Sequence, residues 1–378
     1  MRILLPNSTG RMEPFVLKSE PLTVRAPKVK WNRIAFAAAH VVADPFSDGG
    51  IDWKGTLAYR AHLLKLGFNI AEAMDTSQRG MGLSWPNALE LIQRSLKAAG
   101  PHAERIYSGC GTDQLAPADA KDLDDVARAY LEQLHAIQRL GGRVILMASR
   151  ALVRVAKTPD DYLKVYSRVL AEAQHPVVLH WLGDMFDPAL KGYWGSDSFT
   201  MRMETCLAMI KANISKVDGI KISLLDAEKE VAMRRALPAS VKMYTGDDFN
   251  YAELIAGDGQ GHSHALLGIF DAIAPAASQA LTHLTAGKVE KFHALLEPTV
   301  PLSRLIFRAP TQNYKTGIVF LAWLNGYQDH FIMINGAQAL RPLGYFVECF
   351  KLAEKARLLR KPDLAVKRMK QLLAIYGA

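Results

Sequence analysis

A lysine interrupts an otherwise apolar, strand-like run in the sequence GIKISLL. Because side chains alternate along a strand, Ile220 and Ile222 are predicted to face the surrounding helices. Lys221 and Ser223 are then predicted to point inward. Burial lowers the pKa of a lysine, to roughly 7–8 in enzymes that use it, and the neutral amine can attack a carbonyl to form a Schiff base. The alternative is a lysine held in an ion pair with a neighbouring-strand carboxylate such as Asp247.

The histidines offer a second kind of chemistry, the binding of a metal ion. His40 and His180 follow predicted strands, whereas His262 and His264 precede one and are expected at the opposite end. A catalytic zinc site needs three converging protein ligands. Two histidines would therefore need one of the nearby carboxylates, Asp75, Asp113 or Asp248. A metal-assisted lyase or isomerase using His40 and His180 is the alternative function, and no metal or other cofactor is part of the main hypothesis.

The elements that must position these side chains alternate between short apolar runs and amphipathic helical stretches, which is typical of repeated βα units. Eight strands within about 240 residues predict a (β/α)8 barrel. The rival, a doubly wound sheet, would ordinarily carry a glycine-rich phosphate loop after its first strand, and HVVADPFSDGG lacks one. The predicted strands span residues 32–42, 67–74, 104–111, 143–149, 176–183, 218–225, 241–246 and 264–270.

Three regions are predicted along the chain: a strand-rich N-terminal extension (1–30), the barrel (31–272) and a helical region packed on the barrel (273–378). Catalytic groups of such barrels lie at the carboxyl ends of the strands, where the following loops converge. That rule selects a limited set of candidates: His40, Asp75, Thr76, Ser77, Thr112, Asp113, Ser149, Arg150, His180, Lys221, Asp247 and Asp248.

The order of several motifs resembles the dihydrodipicolinate synthase and N-acetylneuraminate lyase family of class I aldolases. ADPFSDGGIDWKGTLAYRAHLLKLG is similar to the family's opening segment and first helix, and AMDTSQRGMGLSW to its "GTTGE" segment. YSGCGTD, PVVLHWLG, VDGIKISLLD and KMYTGDD are similar to the ends of its strands 3, 5, 6 and 7. The resemblance covers about residues 43 to 300 and identifies the chain as a divergent member.

The resemblance implies that Lys221 forms an imine with a 2-oxo acid and that Thr76 and Ser77 hold its carboxylate. It also exposes differences. The family's strand 5 tyrosine falls on His180 here, and its strand 4 tyrosine pair falls on Ser149 and Arg150. Imidazole can act as a general acid and base near neutral pH, so His180 is predicted to replace the tyrosine as the proton shuttle.

Two further differences from the family concern its other polar groups. The family's glutamate falls on Arg79, and the arginine that binds the acceptor's carboxylate has no counterpart in GDMFDPALKGYWG. These differences argue against condensation with a carboxylated acceptor.

We therefore predict a Schiff-base-forming carbon–carbon lyase, aldolase or dehydratase acting on a 2-oxo acid or keto-sugar derivative. The catalytic residues are Lys221 and His180, and the predicted substrate-binding residues are Thr76, Ser77, Asp247, Asp248, Thr112 and Ser149. A non-catalytic ligand-binding barrel is a third interpretation. The partner is a small molecule rather than nucleic acid or a membrane.

Composition agrees with an ordinary globular protein, since 49% of the 378 residues are hydrophobic and 22% charged. The net charge of +9 comes from the two ends, because residues 1–33 carry seven basic and two acidic groups and residues 351–378 eight and two. No stretch is apolar for long enough to suggest a membrane span, and no secretory signal is recognisable, which predicts a cytoplasmic protein. The three cysteines, Cys110, Cys206 and Cys349, are expected to be reduced thiols.

Two segments outside the strands also lead to expectations. The loop 184–198, with Tyr193 and Trp194, is predicted to cover the substrate pocket. The apolar stretch 316–336 is predicted to supply a subunit interface, which would make the protein a homo-oligomer, either a dimer or a tetramer.

Overall fold

The chain begins with a two-stranded antiparallel hairpin formed by β1 (Arg2–Pro6) and β2 (Met12–Val16). The backbone N–H groups of Lys18 and Ser19, just after β2, donate to the carboxylate of Glu354 at 2.7 and 2.6 Å. These two hydrogen bonds tie the N-terminal segment to a helix near the other end of the chain. The computed structural model describes residues 1–378.

Eight parallel strands follow and close into a barrel, in which each strand pairs with the next and the last pairs with the first. This topology confirms the predicted (β/α)8 barrel. The strands are shorter than the apolar runs that predicted them, because the residues at the two ends of each run belong to loops. They are β3 (Ala35–Ala38), β4 (Asn69–Glu72), β5 (Ile106–Cys110), β6 (Arg143–Leu146), β7 (Val177–Leu182), β8 (Val217–Ser223), β9 (Lys242–Thr245) and β10 (His264–Leu267).

Helices connect consecutive strands and continue beyond the last strand as a helical region. The connecting helices are α1 (Trp53–Lys65), α2 (Trp85–Ala99), α3 (Leu123–Arg139), α4 (Arg150–Val155), α5 (Pro159–Ala171), α6 (Phe199–Ala212), α7 (Ala227–Ala236) and α8 (Tyr251–Ala256). After β10 come α9 (Ile269–Ala272), α10 (Ala274–Thr285), α11 (Val289–Leu296), α12 (Val300–Ile306), α13 (Tyr314–Leu324), α14 (Leu343–Lys355) and α15 (Pro362–Ile375). No helix is long and apolar enough to cross a membrane.

The interior of the barrel is filled by its own apolar cluster, separate from the larger core between the strands and the helices. Its buried members come from alternate, inward-facing positions of the strands and from residues that follow them. Such a filled interior forms an apolar floor under the polar residues at one end of the barrel. The cluster consists of Phe36, Ala38, Ala71, Met74, Ile145, Met147, Val178, Tyr244 and Leu266.

Loop 184–198 does not cover a pocket with Tyr193 and Trp194, as the sequence led us to expect. Tyr193 and Trp194 are buried, and the hydroxyl of Tyr193 lies 2.7 Å from that of Tyr166. The ring of Trp194 packs against the rings of Tyr166 and Trp181. These large apolar rings bury more surface in the core than at a solvent-filled cavity, so they anchor the loop instead.

The apolar stretch that suggested a subunit interface is largely accounted for within the chain. All residues of α13 are buried, because this helix packs against other helices of the C-terminal region. A helix that is apolar on every side belongs in a core. The apolarity of residues 316–324 therefore does not support an interface between subunits. The three cysteines are free and buried, as expected.

A buried ion pair fixes α1 to the carboxyl end of β4. The guanidinium of Arg60 contacts the Glu72 carboxylate through two hydrogen bonds of 2.9 and 2.8 Å, and it also donates to the carbonyl of His40. Neither side chain of the pair is more than 3% exposed. Removing one partner from such a pair leaves an uncompensated buried charge.

We expect Arg60→Met to lower the free energy of unfolding by about 3–5 kcal/mol, because Glu72 then loses its only ion-pair partner. The matched control is Arg94→Met, which breaks an exposed i,i+4 pair with Glu90 and should cost less than about 1 kcal/mol. Urea unfolding followed by circular dichroism measures both. Equal losses in the two variants would contradict a stabilising role for the buried pair.

Candidate active site

Lys221 on β8 and His180 on β7 are partners in the strand register, so the two residues lie side by side. Both side chains are buried, and the Nε2 atom of His180 lies 3.2 Å from the Oγ of Ser223. The alternation of GIKISLL therefore turns Lys221 and Ser223 to the same side as His180, while Ile220 and Ile222 join the outer core. The structure thus brings together the two residues predicted to be catalytic.

The Lys221 amine has no ion-pair or hydrogen-bonding partner in the protein. No carboxylate lies within 4 Å of Nζ, although the side chain is only 7% exposed. Burial lowers the pKa of Lys221, and the more distant carboxylates of Asp75 and Asp248 partly oppose that shift. A buried amine with a lowered pKa and free donors has the properties of a nucleophile. The alternative of an ion pair with Asp247 is not what the structure shows.

The two adjacent aspartates after β9 have different surroundings. Asp247 accepts hydrogen bonds from the backbone N–H groups of Phe249 and Asn250, at 2.8 and 3.0 Å, and from the Asn250 side chain at 2.8 Å. Asp248 accepts the backbone N–H of Ile269 at 2.8 Å. Asp247 thus shapes the turn, and the predicted substrate-binding role does not fit its geometry.

Asp248 is, with Asp75, one of the two carboxyl groups whose charges act on Lys221. Burial raises the pKa of Asp248 to about 7, while the hydrogen bond from Ile269 and the charge of Lys221 pull the pKa down. Both the protonated and the ionised form of the carboxyl group are therefore accessible near neutral pH. A group in that state can both donate and accept a proton, which is the requirement for general acid–base catalysis.

His180 differs from the acid–base residue that the sequence led us to expect. Burial, together with the charge of Lys221, lowers the pKa of His180 well below its ordinary value. Its imidazole is consequently neutral at physiological pH and is a weak base. The expectation of titration near neutral pH overlooked how deeply β7 buries this side chain.

The two predicted carboxylate-binding hydroxyls also differ. Thr76 Oγ1 lies 2.7 Å from the hydroxyl of Tyr314, a residue of α13, and both side chains are buried. Ser77 donates its hydroxyl to the Ala39 carbonyl at 2.6 Å and its N–H to the Met74 carbonyl at 3.0 Å. Ser77 therefore has no free donor for a substrate, which is a correction to the predicted pair.

Thr112 and Ser149 form a second hydroxyl pair, with their oxygens 2.6 Å apart. Ser149 caps α4, because its Oγ accepts the N–H of Leu152 at 3.0 Å. Thr112 lines a cavity and Ser149 does not. The structure thus leaves Thr112 as the member of the pair that a substrate can contact.

Two adjoining cavities, of about 170 and 200 Å³, lie at this end of the barrel. The first reaches His180 and Thr112, and the second reaches Tyr314 and Lys315. Lys221 lines neither cavity, but Asp75, whose charge acts on Lys221, lines both. The residues common to the two walls are Asp75, Arg79, Arg150, Leu182 and Asp187.

Most charged side chains on the cavity walls are paired. Arg79 donates through Nε to Asp113 at 2.9 Å, and Arg150 donates through Nε to Asp187 at 2.6 Å. Asp187 belongs to the loop predicted to cover the pocket, and this loop lines the two cavities with Phe186, Asp187, Pro188 and Leu190 rather than with Tyr193 and Trp194. Arg79, noted only as a departure from the family, is a wall residue.

His40 has a partner of its own away from His180. Its Nδ1 lies 2.8 Å from the Asp271 carboxylate, and its ring packs on that of Tyr59. No group of three or more His, Cys, Asp or Glu side chains is arranged to hold a metal ion. The histidine pair on which the metal-assisted alternative depended is therefore engaged with two different partners.

Sequence reasoning missed Tyr314 and Lys315, which come from the helical region after the barrel. The rule that active-site groups follow barrel strands excludes them, and the sequence TQNYKTG carries no chemical motif. Only the packing of α13 against the end of the barrel brings them to the cavity. No local pattern could have identified these two residues.

The raised pKa of Asp248 makes stability depend on pH in a definite direction. The folded state holds this proton to a higher pH than the unfolded chain, so the contribution to stability is lost as pH rises through about 7. Relative to the wild type, Asp248→Asn should gain stability between about pH 4 and pH 7, by up to about 1.4 kcal/mol per pH unit, and the difference should stay constant at higher pH. Urea unfolding across this range measures the difference. Asp48→Asn, in an exposed loop, is the control, and parallel profiles for Asp248→Asn and the wild type would contradict the raised pKa.

Comparisons with known proteins agree with the barrel and with the resemblance found in the sequence. The 4-hydroxy-tetrahydrodipicolinate synthase of Moorella thermoacetica is 23% identical over 281 residues, covering 74% of this chain and 84% of that protein. A chloride-inhibited dihydrodipicolinate synthase from Acinetobacter baumannii, solved with pyruvate, is similar with a TM-score of 0.64 and 19% identity, over 86% of this chain and 99% of that one.

A second solved structure has the same fold. YagE from E. coli, a prophage protein of the dihydrodipicolinic acid synthase family solved with pyruvate, gives a TM-score of 0.68 at 13% identity, with 86% of this chain and 99% of that one covered. A family profile described as "Protein of unknown function (DUF993)" matches residues 3–378. The chain therefore belongs to this DUF993 family and is a divergent relative, at low identity, of the dihydrodipicolinate synthases.

Proposed function

We propose that the chain is a lyase of the class I aldolase type, in which Lys221 forms an imine with the carbonyl carbon of a 2-oxo acid or keto-sugar derivative. The observation that carries the proposal is the buried, unpartnered amine of Lys221 beside His180 and within the electrostatic reach of Asp248. The proteins to which this chain is similar are lyases of the dihydrodipicolinate synthase family, and two of their solved structures hold pyruvate.

Imine formation requires a neutral amine and a proton donor. The Lys221 amine attacks the carbonyl carbon, and the resulting carbinolamine loses its hydroxyl group as water when an acid supplies one proton. Asp248 is the donor in this proposal, because burial raises the pKa of its carboxyl group to about 7. Burial of the amine favours its attacking form, since desolvation disfavours the ammonium ion.

Cleavage of the bond beyond the imine then needs a base and a proton carrier. The protonated imine accepts the electron pair of the breaking carbon–carbon bond and becomes an enamine, while the substrate's hydroxyl loses its proton to a base. The Thr76–Tyr314 hydroxyl pair is suited to carry protons between substrate and solvent, because both groups remain neutral. His180 stays neutral and supplies a fixed hydrogen-bonding ring next to the imine nitrogen.

Reductive trapping tests the nucleophile. Incubation with pyruvate and borohydride should add one reduced pyruvate at Lys221, detected by intact mass and peptide mapping, and labelling should survive EDTA. Lys221→Met should abolish the label. Lys242→Met is the matched control, since Lys242 lies on the next strand but pairs with Asp218.

Three results of that experiment have different meanings. A label that persists in Lys221→Met would overturn the nucleophile assignment. Loss of activity on chelation would instead favour the metal-assisted alternative. A trapped imine without turnover of any 2-oxo acid or keto-sugar would favour the non-catalytic, ligand-binding barrel.

Removal of one hydroxyl tests the proton-carrying pair. Tyr314→Phe should slow turnover by about 10²–10⁴-fold while leaving the imine trappable, because proton transfer is lost but the amine is intact. Tyr166→Phe is the control. It removes a buried hydroxyl of the aromatic core, which lies 2.7 Å from the Tyr193 hydroxyl, just as the Tyr314 hydroxyl lies 2.7 Å from Thr76. Similar turnover in the two variants would contradict a role for Tyr314 in catalysis.

A further inference from the structure

Lys315 is a second buried lysine on the wall of the cavity, and the proposed imine chemistry does not use it. It lies in the first turn of α13 and is only 4% exposed. Its Nζ donates to the Gln312 carbonyl at 3.0 Å and contacts the Met81 sulfur at 3.2 Å, with no carboxylate within 4 Å. An ammonium has three donors, so at least one is free for a ligand in the cavity.

The position of Lys315 makes its charge costly in the empty cavity. Burial lowers its pKa to about 8, with Asp75 and Asp187 opposing this shift and the charge of Arg150 adding to it. The positive end of the α13 dipole lies at the same turn and also disfavours a cation. The amine is therefore still largely protonated at neutral pH, but it lacks the contacting counter-ion that a buried charge requires.

Arg150 adds further free donors at the same place. Its Nε atom donates a hydrogen bond to Asp187, but its two terminal nitrogens have no hydrogen-bonding partner in the protein. The side chain is 45% exposed. Arg150 lines both cavities, and Lys315 lines the one that also contains Tyr314. Arg79, by comparison, is fully engaged by Asp113, Gln133 and backbone carbonyls. Lys315 and Arg150 are thus the cations with unused donors.

We propose that Lys315 and Arg150 bind a second anionic group of the substrate, a carboxylate or a phosphate. The inference rests on the proposed function and narrows its substrate class to 2-oxo acids that carry another anion away from the reacting carbonyl. A planar guanidinium beside a point-like ammonium suits the oxygens of either anion.

The geometry connects this anion site to the reacting end of the cavity. The Lys315 ammonium lies 4.7 Å from the centre of the Tyr314 ring, and the Tyr314 hydroxyl is hydrogen-bonded to Thr76. The two cavities share Asp75 and Arg150 on their walls, so the cavity with Lys315 adjoins the cavity that reaches His180. The absent acceptor-binding arginine of the related family therefore does not exclude a substrate with two anions.

The test compares trapping of matched acids by borohydride at about pH 7. Pyruvate and 2-oxoglutarate differ by a distal carboxylate, and 2-oxo-3-deoxygluconate and its phosphate ester differ by a distal phosphate. At least one acid with the second anion should reach half-saturation of Lys221 labelling at a concentration about 10-fold or more lower than its counterpart. The pair that shows the preference identifies which anion the site takes.

The variants Lys315→Met and Arg150→Met should each reduce that preference by about 10-fold, because each removes charge-assisted hydrogen bonds to the anion. Lys315→Met keeps the length of a buried side chain, so the fold is retained. Lys164→Met, which removes an exposed lysine from α5, is the control and should keep the wild-type preference.

The outcomes separate this inference from the proposed function. Labelling of Lys221 without preference for a second anion would overturn the anion site alone, and a label on Lys315 would make that lysine a nucleophile instead. If no acid labels Lys221, the lyase proposal fails. The anion site is then tested by inorganic phosphate and malonate, at least one of which should raise the melting temperature of the wild type but not of Lys315→Met. Equal shifts in both proteins, or none, would overturn it.

Discussion

Closure of the barrel between β10 and β3 is the constraint on which the rest of the structure depends. In a closed ring every strand has two neighbours, so the direction of each side chain is set by its position along the strand. Lys221 and His180 consequently face the same interior, and Asp248 follows β9 at the same end. The apolar cluster inside the barrel keeps water from reaching these groups from below, and that exclusion causes their altered proton affinities.

Burial shifts the pKa values of Lys221, His180 and Asp248, and the opposite charges of Lys221 and Asp248 limit each other's shift. It disfavours the charged forms of Lys221, His180 and Asp248, but the attraction between Lys221 and Asp248 restores part of the stability of their charged forms. Asp75 favours the charged form of Lys221 in the same way. His180 has no opposing carboxylate and stays neutral. One environment thus lowers the pKa of the amine and of the imidazole and raises the pKa of the carboxyl group.

Part of this arrangement could be read from the sequence because it depends on periodicity. The alternation around Lys221 and the order of βα units determine the barrel and the pairing of Lys221 with His180. The division of labour between Asp247 and Asp248 could not be predicted, since both follow the strand and the turn decides which carboxyl group faces inward. Ser77 likewise looked free until the Ala39 carbonyl was placed beside its hydroxyl.

The other features that the sequence did not predict have a common cause, which is packing between segments that lie far apart in the chain. Tyr193 and Trp194 occupy a polar loop in the sequence, yet neighbouring aromatic rings bury them. Tyr314 reaches Thr76 only because α13 packs at the end of the barrel, far along the chain from β4. Since α13 lies outside the strands, substitutions on it leave the register of the barrel untouched. The wall of the second cavity can therefore change through α13 while Lys221 and His180 keep their positions on the strands.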